Sequence, residues 1–325
     1  MNGTRIRIVE HEEELPRLSD DNFFHSSQLF EVARQTPRQK PYMVLAETDD
    51  GQHLAHLLAL VRYRSSWFPP YFFMHCRVLG EGVYTCDSRQ EGELFGLMLD
   101  ALRRKLSHRV LYIEVSNLSQ KMFGYRKLRQ QQFFPIHWMS IHNSLHSHTP
   151  EERIGERMKQ RIQTAYQRGV ITDEVATEAD FQAFQRLLRH HHWLKPKRYI
   201  PDQQFFRGIM ESGSGRLYVT RYREHIIGCS AVVYSGDNAY LWYSAFRRKS
   251  FAFVHPDVLT IWHAIKHSHE LGYQHIFFLD VGLPFRKNSF RDFILSFGGK
   301  PVSTFRWFRC SIKWVNALLS WIYRD

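Results

Sequence analysis

The sequence predicts an α/β (α+β) fold of two tandem domains, each a mixed, mainly antiparallel sheet flanked by helices. The chain has 325 residues, more than the roughly 250 to 300 at which a single core stops growing. Hydrophobic residues make up 43% of it, enough to fill two cores. One order of elements, three antiparallel strands, a crossover helix and a further strand, occurs in both halves. The repeat is the main argument for two domains.

The first copy is predicted over residues 1–148. From Pro41, PYMVLAETDDGQHLAHLLALVRYR predicts two strands joined at an Asp-Gly turn, a strong hairpin signal. YFFMHCRVLG predicts a third strand. In EGELFGLMLDALRRKL, apolar residues at helical spacing predict the crossover helix. VLYIEV and FFPIHWMSI then predict two more strands.

A basic connector helix is predicted over 149–172, in TPEERIGERMKQRIQTAYQRGVI. Thr149 and Pro150 are typical of its start and Gly169 of its end. The second copy is predicted over 173–308. GRLYVTRYREHIIGCSAVVYSGDNAYLWYSAF reads as three strands, PDVLTIWHAIKHSHELG as the crossover helix, and YQHIFFLDV and STFRWFRCSI as the remaining strands.

An amphipathic helix is predicted for the C-terminal tail, 309–325. Its apolar residues share one helical face, with Trp314 and Trp321 at the edge of that face. Such a helix either docks on its own domain or lies at a membrane interface, where Trp and cations anchor well. Both interpretations stay open at the level of sequence.

The charge balance favours anionic partners. Lys and Arg exceed Asp and Glu by 44 − 32 = 12, which suits phosphates, nucleic acid or an acidic membrane face. The four cysteines are dispersed, which predicts neither a zinc site nor disulfides and favours a reducing cytoplasm. The histidines of the run 190–192 diverge by about 100° per residue on a helix, so no metal site is predicted. The acidic N-terminal stretch is not typical of a signal peptide, and no apolar run approaches the ~20 residues of a membrane span.

Several stretches together resemble the GNAT acyltransferase superfamily in its tandem-domain, Fem-type form, the FemAB/FemX-like aminoacyl and acyl transferases. They are RMKQRIQTAYQRGV in the connector, WLKP at 193–196 ahead of the strands of the second copy, the meander from Gly215, the helix after it, and FRDFILSFGG. The resemblance covers about Ile6 to Phe308. It implies an acyl-CoA or aminoacyl-tRNA co-substrate, no tightly bound cofactor, and an amine or hydroxyl acceptor of the cell envelope, such as a peptidoglycan or glycan precursor. It also implies a place in the cytoplasm, at the inner face of the membrane where the acceptor is lipid-linked.

Acyl transfer requires donors for an oxyanion and a route for the acceptor's proton. Asp280 ends the strand IFFLD and would serve as general base or cap the next turn. Tyr243 is the candidate for a hydroxyl in the cleft. His255, before Pro256, would accept a proton or simply mark the start of the helix.

Arg247, Arg248, Lys249 and Ser250 are the candidates for binding the donor's phosphates. They precede a helix whose N-terminus attracts phosphate. The GNAT pyrophosphate motif has Gln or Arg, two residues, Gly, one residue, then Gly or Ala; here Ser250 replaces the central Gly.

The candidates for binding an anionic small-molecule or lipid-linked acceptor come from three segments. The resemblance implies the connector cations and the WLKP loop, and two further cations follow Asp280: Arg157, Lys159, Arg161, Trp193, Lys195, Arg286 and Lys287. A solvated face is the ordinary alternative for the connector cations.

Two rival functions stay open at the level of sequence. A nucleic-acid-binding protein would suit the charge and the aromatic content, although no recognised motif for it occurs. A non-catalytic, membrane-proximal scaffold would retain the fold and use the tail.

Overall fold

A computed structural model describes residues 3–19, 21–65, 69–116, 122–192, 199–279, 281–282 and 287–323. The chain divides into two compact units. Unit 1 comprises Met1–Trp138 and Ser303–Asp325, and unit 2 comprises Met139–Val302.

The strands within the described residues are β1 (Thr4–Val9), β2 (Gln39–Thr48), β3 (His53–Ser65), β4 (Phe72–Leu79), β5 (Val83–Tyr84), β6 (Tyr112–Ser116), β7 (Phe134–Ser144), β8 (Val170–Glu174), β9 (Gly215–Tyr222), β10 (His225–Ser235), β11 (Asn238–Phe246), β12 (His275–Phe278) and β13 (Lys300–Cys310). The α-helices there are α1 (Ser27–Gln35), α2 (Ser88–Leu106), α3 (Tyr125–Gln130), α4 (Pro150–Arg153), α5 (Glu156–Gln167), α6 (Glu178–His192), α7 (Gln203–Glu211), α8 (Pro256–Glu270), α9 (Ser289–Leu295) and α10 (Lys313–Ile322).

Unit 1 has the strand order β1-β2-β3-β4-β6-β13, with β5 paired to β3. All neighbours are antiparallel except β4 and β6, which are parallel and joined by the crossover helix α2. Alternate residues of the strands, such as Leu57 and Val61 of β3, face a core that includes Leu94, Met98 and Leu102 of α2. The helical spacing in the sequence therefore marks the face of α2 that the sheet covers.

Unit 2 repeats this plan with the strand order β7-β12-β11-β10-β9-β8. Its parallel pair is β11 and β12, joined by the crossover helix α8. Nearly the whole length of α8 is buried against the sheet. At Gly228 of β10 a Cβ would lie 2.0 Å from Oγ1 of Thr260 and 3.1 Å from Cβ of Thr220, so only glycine allows α8 to approach the sheet this closely.

The fold class predicted from the sequence is confirmed. The last strand of each predicted copy, however, pairs with a strand of the other copy. β7 follows the elements of unit 1 in sequence and pairs with β12 of unit 2. β13 follows the elements of unit 2 and pairs with β6 of unit 1. Alternating apolar residues predict that a segment is a strand, not which edge it joins. The domain limits 1–148 and 173–308 remain predictions; the compact units group these two strands and the tail differently.

The predicted connector helix over 149–172 is instead two helices and a strand. Thr149 and Glu152 form a capping box at the start of α4, and the chain becomes extended at Ile154, so α5 starts afresh at Glu156. Strand β8 begins at Val170. Because α5 buries an apolar face in the core of unit 2, it is part of that unit and not a solvated linker.

The tail forms α10, as predicted. Asn316 of this helix is 5% exposed, Val315 and Leu319 are half-buried, and Trp314 and Trp321 are 71% and 66% exposed. No helix in the described ranges is both long and apolar enough to cross a bilayer.

Candidate active site

The two parallel strands of unit 2 stop pairing at Leu241 and Phe278. β11 and β12 pair through Asn238–Leu241 and His275–Phe278, and the amide of Leu279 donates to the Leu241 carbonyl at 3.3 Å. Within the part of the chain that the structure describes, β12 ends there while β11 continues to Phe246. The carboxyl ends of parallel strands are common positions for ligands.

A β-bulge next to the end of this pairing changes which side chains share a face. The register between β10 and β11 shifts between Ala231 and Val232, so Trp242 is the extra residue. Trp242 packs edge-on against Phe205, and Tyr243 packs edge-on against Phe206. Neighbours on a regular strand face opposite sides of the sheet, but the bulge turns both of these side chains toward α7.

Tyr243 is 3% exposed, and its ring also stacks on Trp242 at 5.8 Å. The structure thus places it in the packing between β11 and α7. Its role as a cleft hydroxyl remains a prediction.

The predicted donor-binding segment lies in the turns between β11 and α8. Arg247, Arg248, Lys249 and Ser250 are all exposed. The segment is fixed by its backbone, since the Arg247 amide donates to the Ile227 carbonyl at 2.8 Å. The turn therefore presents its cations to solvent beside the first turn of α8.

Asp257, in the first turn of α8, escaped the sequence reasoning. It is 2% exposed. Its Oδ1 accepts from the Val258 amide at 3.0 Å, and its Oδ2 lies 3.3 Å from Nε of Arg248. The helix N-terminus thus carries its own carboxylate, which partly neutralises Arg248. An acidic residue just after a proline that opens a helix is the signal that could have revealed it.

His255 is the residue that caps α8. Its backbone is left-handed (φ 48°), and its carbonyl accepts from the amides of Val258 and Leu259 at 3.1 and 3.2 Å. Burial lowers the pKa of the imidazole, nearby Arg161 and Arg168 lower that pKa further, and Asp257 opposes the shift. The ring is therefore neutral at pH 7 and able to accept a proton.

Two arginines of the predicted connector lie close to this histidine. Arg161 is half-buried on α5. Arg168, at the end of α5, donates to the Phe253 carbonyl, and its guanidinium lies 5.9 Å from the Phe253 ring centroid. The structure thus brings one predicted acceptor residue, Arg161, together with the predicted His255 and adds Arg168, which the sequence reasoning did not select.

The remaining predicted residues are not brought into this group. Arg157 is exposed, and Lys159 is exposed and paired with Glu156 at 2.8 Å. Lys287 is exposed just before Asn288, which caps α9. Four predicted residues lie outside the described residues: Trp193, Lys195, Asp280 and Arg286.

Cys229 is a buried thiol in β10, and burial raises its pKa, so it stays protonated and is no nucleophile at neutral pH. Among the described residues, no cluster of three or more His, Cys, Asp or Glu side chains has the arrangement of a metal site.

Comparison with known proteins agrees with this geometry. Residues 153–287 match the family model described as an acetyltransferase (GNAT) domain. No curated protein matches the chain.

Solved structures match nearly the whole chain. A structure of FemX is 11% identical with a TM-score of 0.64, over 97% of this chain and 100% of its own. A tandem GNAT protein from the clavulanic acid biosynthesis pathway is 11% identical with a TM-score of 0.56, over 94% and 99%. The C-terminal domain of a putative lysylphosphatidylglycerol synthetase from Agrobacterium fabrum is 12% identical with a TM-score of 0.54, over 94% and 92%.

Residues 153–287 therefore match an acetyltransferase (GNAT) domain, and the chain has the tandem GNAT fold. The resemblance drawn from the sequence is confirmed at this level.

Proposed function

We propose that the protein transfers an acyl or aminoacyl group from acyl-CoA or aminoacyl-tRNA to an amine or hydroxyl of a cell-envelope acceptor. The observation that carries the proposal is that β12 stops pairing with β11 at Phe278, while β11 continues to the cationic turn before α8. A thioester or ester carbonyl bound at the carboxyl end of this strand pair would need backbone amides as donors to its oxyanion. The GNAT family match supports this reaction class.

In the proposed transfer, one bond forms for each bond that breaks. The acceptor nitrogen or oxygen attacks the acyl carbon, a new amide or ester bond forms, and the bond to the CoA sulfur or the tRNA oxygen breaks. The acceptor's proton passes to a base, and the leaving thiolate or alkoxide takes up a proton. Neutral His255 is the described residue suited to accept that proton. Asp280 and Tyr243 remain alternatives from the sequence.

The donor's phosphates would lie against the turn between β11 and α8. Arg247 and Lys249 are exposed there, while Arg248 shares its charge with Asp257. Ser250 holds a side chain where the GNAT motif has glycine, and that side chain limits how closely a pyrophosphate approaches the backbone. We therefore expect acyl-CoA to bind more weakly than to a protein with the full motif.

The acceptor is proposed to be anionic and lipid-linked or glycan-linked. Arg161 lies near His255, and Arg157 and Lys159 belong to the same helix. Trp193, Lys195, Arg286 and Lys287 complete the proposed acceptor set. The name of the lysylphosphatidylglycerol synthetase neighbour supports an acceptor at a membrane, which fits a cytoplasmic protein working at the inner membrane face, with its C-terminal helix in contact with lipid.

Calorimetric titration with a panel of acyl-CoA thioesters, at low and physiological salt, tests the donor. The variant Arg247→Ala/Arg248→Ala removes two cations of the turn. The matched control Arg186→Ala/Arg207→Ala removes two exposed cations from α6 and α7. We expect saturable binding by the native protein and the control, and a loss of about tenfold or more in the turn variant, since each charge-assisted bond contributes roughly 1.5 to 3 kcal/mol.

Absence of acyl-CoA binding at both salts would eliminate CoA as the donor and make aminoacyl-tRNA the next donor to titrate. If neither donor binds, the transferase proposal is wrong. Tight binding of uncharged nucleic acid, falling steeply with salt, would instead support the nucleic-acid alternative.

A further inference from the structure

The exposed face of α10 is apolar. Trp314, Ala317, Leu318 and Trp321 follow the spacing i, i+3, i+4, i+7, which places them on one helical face. All four are exposed, with Trp314 71%, Leu318 48% and Trp321 66% exposed. A helix of a globular protein normally turns such a stripe toward its core.

The buried side of α10 is fixed by a polar residue. Asn316 Oδ1 accepts from the Cys310 amide at 2.8 Å, and its Nδ2 donates to the Gln132 carbonyl at 3.0 Å. These two bonds hold the apolar stripe outward. Among the apolar residues of α10, Leu318 and Ile322 are exposed while Val315 and Leu319 are half-buried, so the helix buries only part of its apolar surface.

A second group of exposed aromatic side chains lies where β3 ends and β4 begins. Phe72 is 82% exposed, Tyr71 58% and Tyr63 52%. Soluble proteins seldom expose large aromatic side chains in clusters unless the cluster contacts a partner or a membrane.

The strand register places both groups at one end of the unit 1 sheet. Tyr63 pairs with Met74, the amide of Leu111 donates to the Met74 carbonyl at 2.7 Å, and the amide of Ser311 donates to the Leu111 carbonyl at 2.9 Å. This row crosses β3, β4, β6 and β13. Phe72 and the start of α10, which follows β13, both lie just beyond this row. The row spans three strand spacings, or about 14 Å.

Cations accompany the aromatic side chains at this end. Arg64 lies over the Phe73 ring at 5.9 Å, and Arg109 and Lys313 are exposed beside the row. The nearby acidic residue of α2, Asp100, is paired with both Arg103 and Arg104 at 2.6 Å. The end therefore combines apolar side chains with positive charge, which complements an anionic lipid surface and not a purely apolar partner.

We infer that unit 1 has a membrane-binding edge, formed by Tyr63, Tyr71 and Phe72 with the exposed face of α10, and that its partner is a bilayer containing anionic phospholipid. Trp and Tyr would lie at the level of the lipid headgroups, and the cations would contact phosphate. The edge deepens the proposed function by naming the surface on which a lipid-linked acceptor would be met. Binding itself requires no acyl donor, so it can be measured separately.

Co-sedimentation with vesicles of phosphatidylcholine, with or without phosphatidylglycerol, tests the inference on the full chain. We expect binding to the anionic vesicles only. Trp314→Ser/Trp321→Ser and Tyr71→Ser/Phe72→Ser should each lower the partition coefficient about tenfold or more, since each removes two interfacial aromatic side chains. Arg109→Gln/Lys313→Gln should weaken binding and reduce its dependence on salt. The control Ile171→Ser, at a 53% exposed apolar residue of unit 2, should bind as the native protein does.

Three results would overturn the inference. The native protein could fail to bind anionic vesicles at low salt, or Ile171→Ser could lose as much binding as the aromatic pairs. Sedimentation velocity could also show a dimer that the Trp314/Trp321 variant dissociates, which would make a second copy of the chain the partner of this edge. Vesicle binding without acyl transfer would leave the edge intact and refute only the proposed reaction.

Discussion

Replacing Gly228 with alanine should destabilise unit 2 and displace the start of α8. The added Cβ would lie 2.0 Å from Thr260 Oγ1, far inside a normal contact. Thr260 Oγ1 is 2.8 Å from Thr220 Oγ1 and donates to the Pro256 carbonyl at 2.7 Å. Overpacking costs about 1 to 3 kcal/mol, and a lost buried hydrogen bond adds about 1 kcal/mol. We therefore expect Gly228→Ala to lower the free energy of unfolding by about 3 kcal/mol.

The double variant Gly228→Ala/Thr260→Ala separates this contact from a general effect. Removing Oγ1 removes the atom that the new Cβ meets, so the double variant should lose less stability than the sum of the two single variants, by about 1 kcal/mol or more. Urea unfolding followed by circular dichroism measures all four proteins of the cycle. Additive losses, or a Gly228→Ala protein as stable as the native one, would refute the explanation of the α8 position.

Other substitutions test the site and the buried His25. Arg161→Gln should raise the pKa of His255 and Asp257→Asn should lower it, because Arg161 lowers this pKa and Asp257 opposes that shift. NMR titration of the ring would show pKa shifts of opposite sign in the two variants. Shifts in the same direction would contradict the arrangement. Burial lowers the pKa of His25 to about 3 from about 6.5 in the unfolded chain, so its stabilisation is complete above pH 6.5 and is lost as pH falls. Between pH 7 and pH 5, protonation linked to His25 should lower the free energy of unfolding by about 2 kcal/mol. Urea unfolding of His25→Gln should not show this loss, and a pH dependence equal to that of the native protein would contradict the expectation. Ser250→Gly should raise acyl-CoA affinity several-fold in calorimetry, and weaker binding would show that phosphate does not approach this turn.

The repeated unit was predictable because its signals are local. Asp-Gly turns, alternating strands and the spacing in α2 and α8 each depend on neighbouring residues, and the order of elements follows from them. The pairing of β7 with β12 and of β13 with β6 was not predictable, because strand pairing depends on contacts between residues far apart in sequence. The break at Gly155, which divides the connector into α4 and α5, was not predicted because a single glycine is compatible with a helix.

The candidate site was predictable only in part, for similar reasons. The proline after His255 and the cations before it marked the start of α8 correctly. The bulge at Trp242 was not predictable, since an added residue in a strand leaves no mark in an apolar run. Asp257 was missed because a carboxylate at a helix start is ordinarily a stabilising residue of no wider consequence. Its contact with Arg248 emerges only from the folded turn.

The most direct test of the acyl-transfer claim is to follow an isotope-labelled acyl group. Purified protein would be incubated with cell-envelope precursor extract and either labelled acetyl-CoA or tRNA charged with labelled amino acids, and the products would be separated by mass spectrometry. A tandem GNAT acyltransferase should move the label into an amide or ester of an envelope precursor, and Arg247→Ala/Arg248→Ala should slow that transfer about tenfold or more while Arg186→Ala/Arg207→Ala does not. Absence of labelled product from both donors, with the native protein folded and extract present, would contradict the proposed transfer.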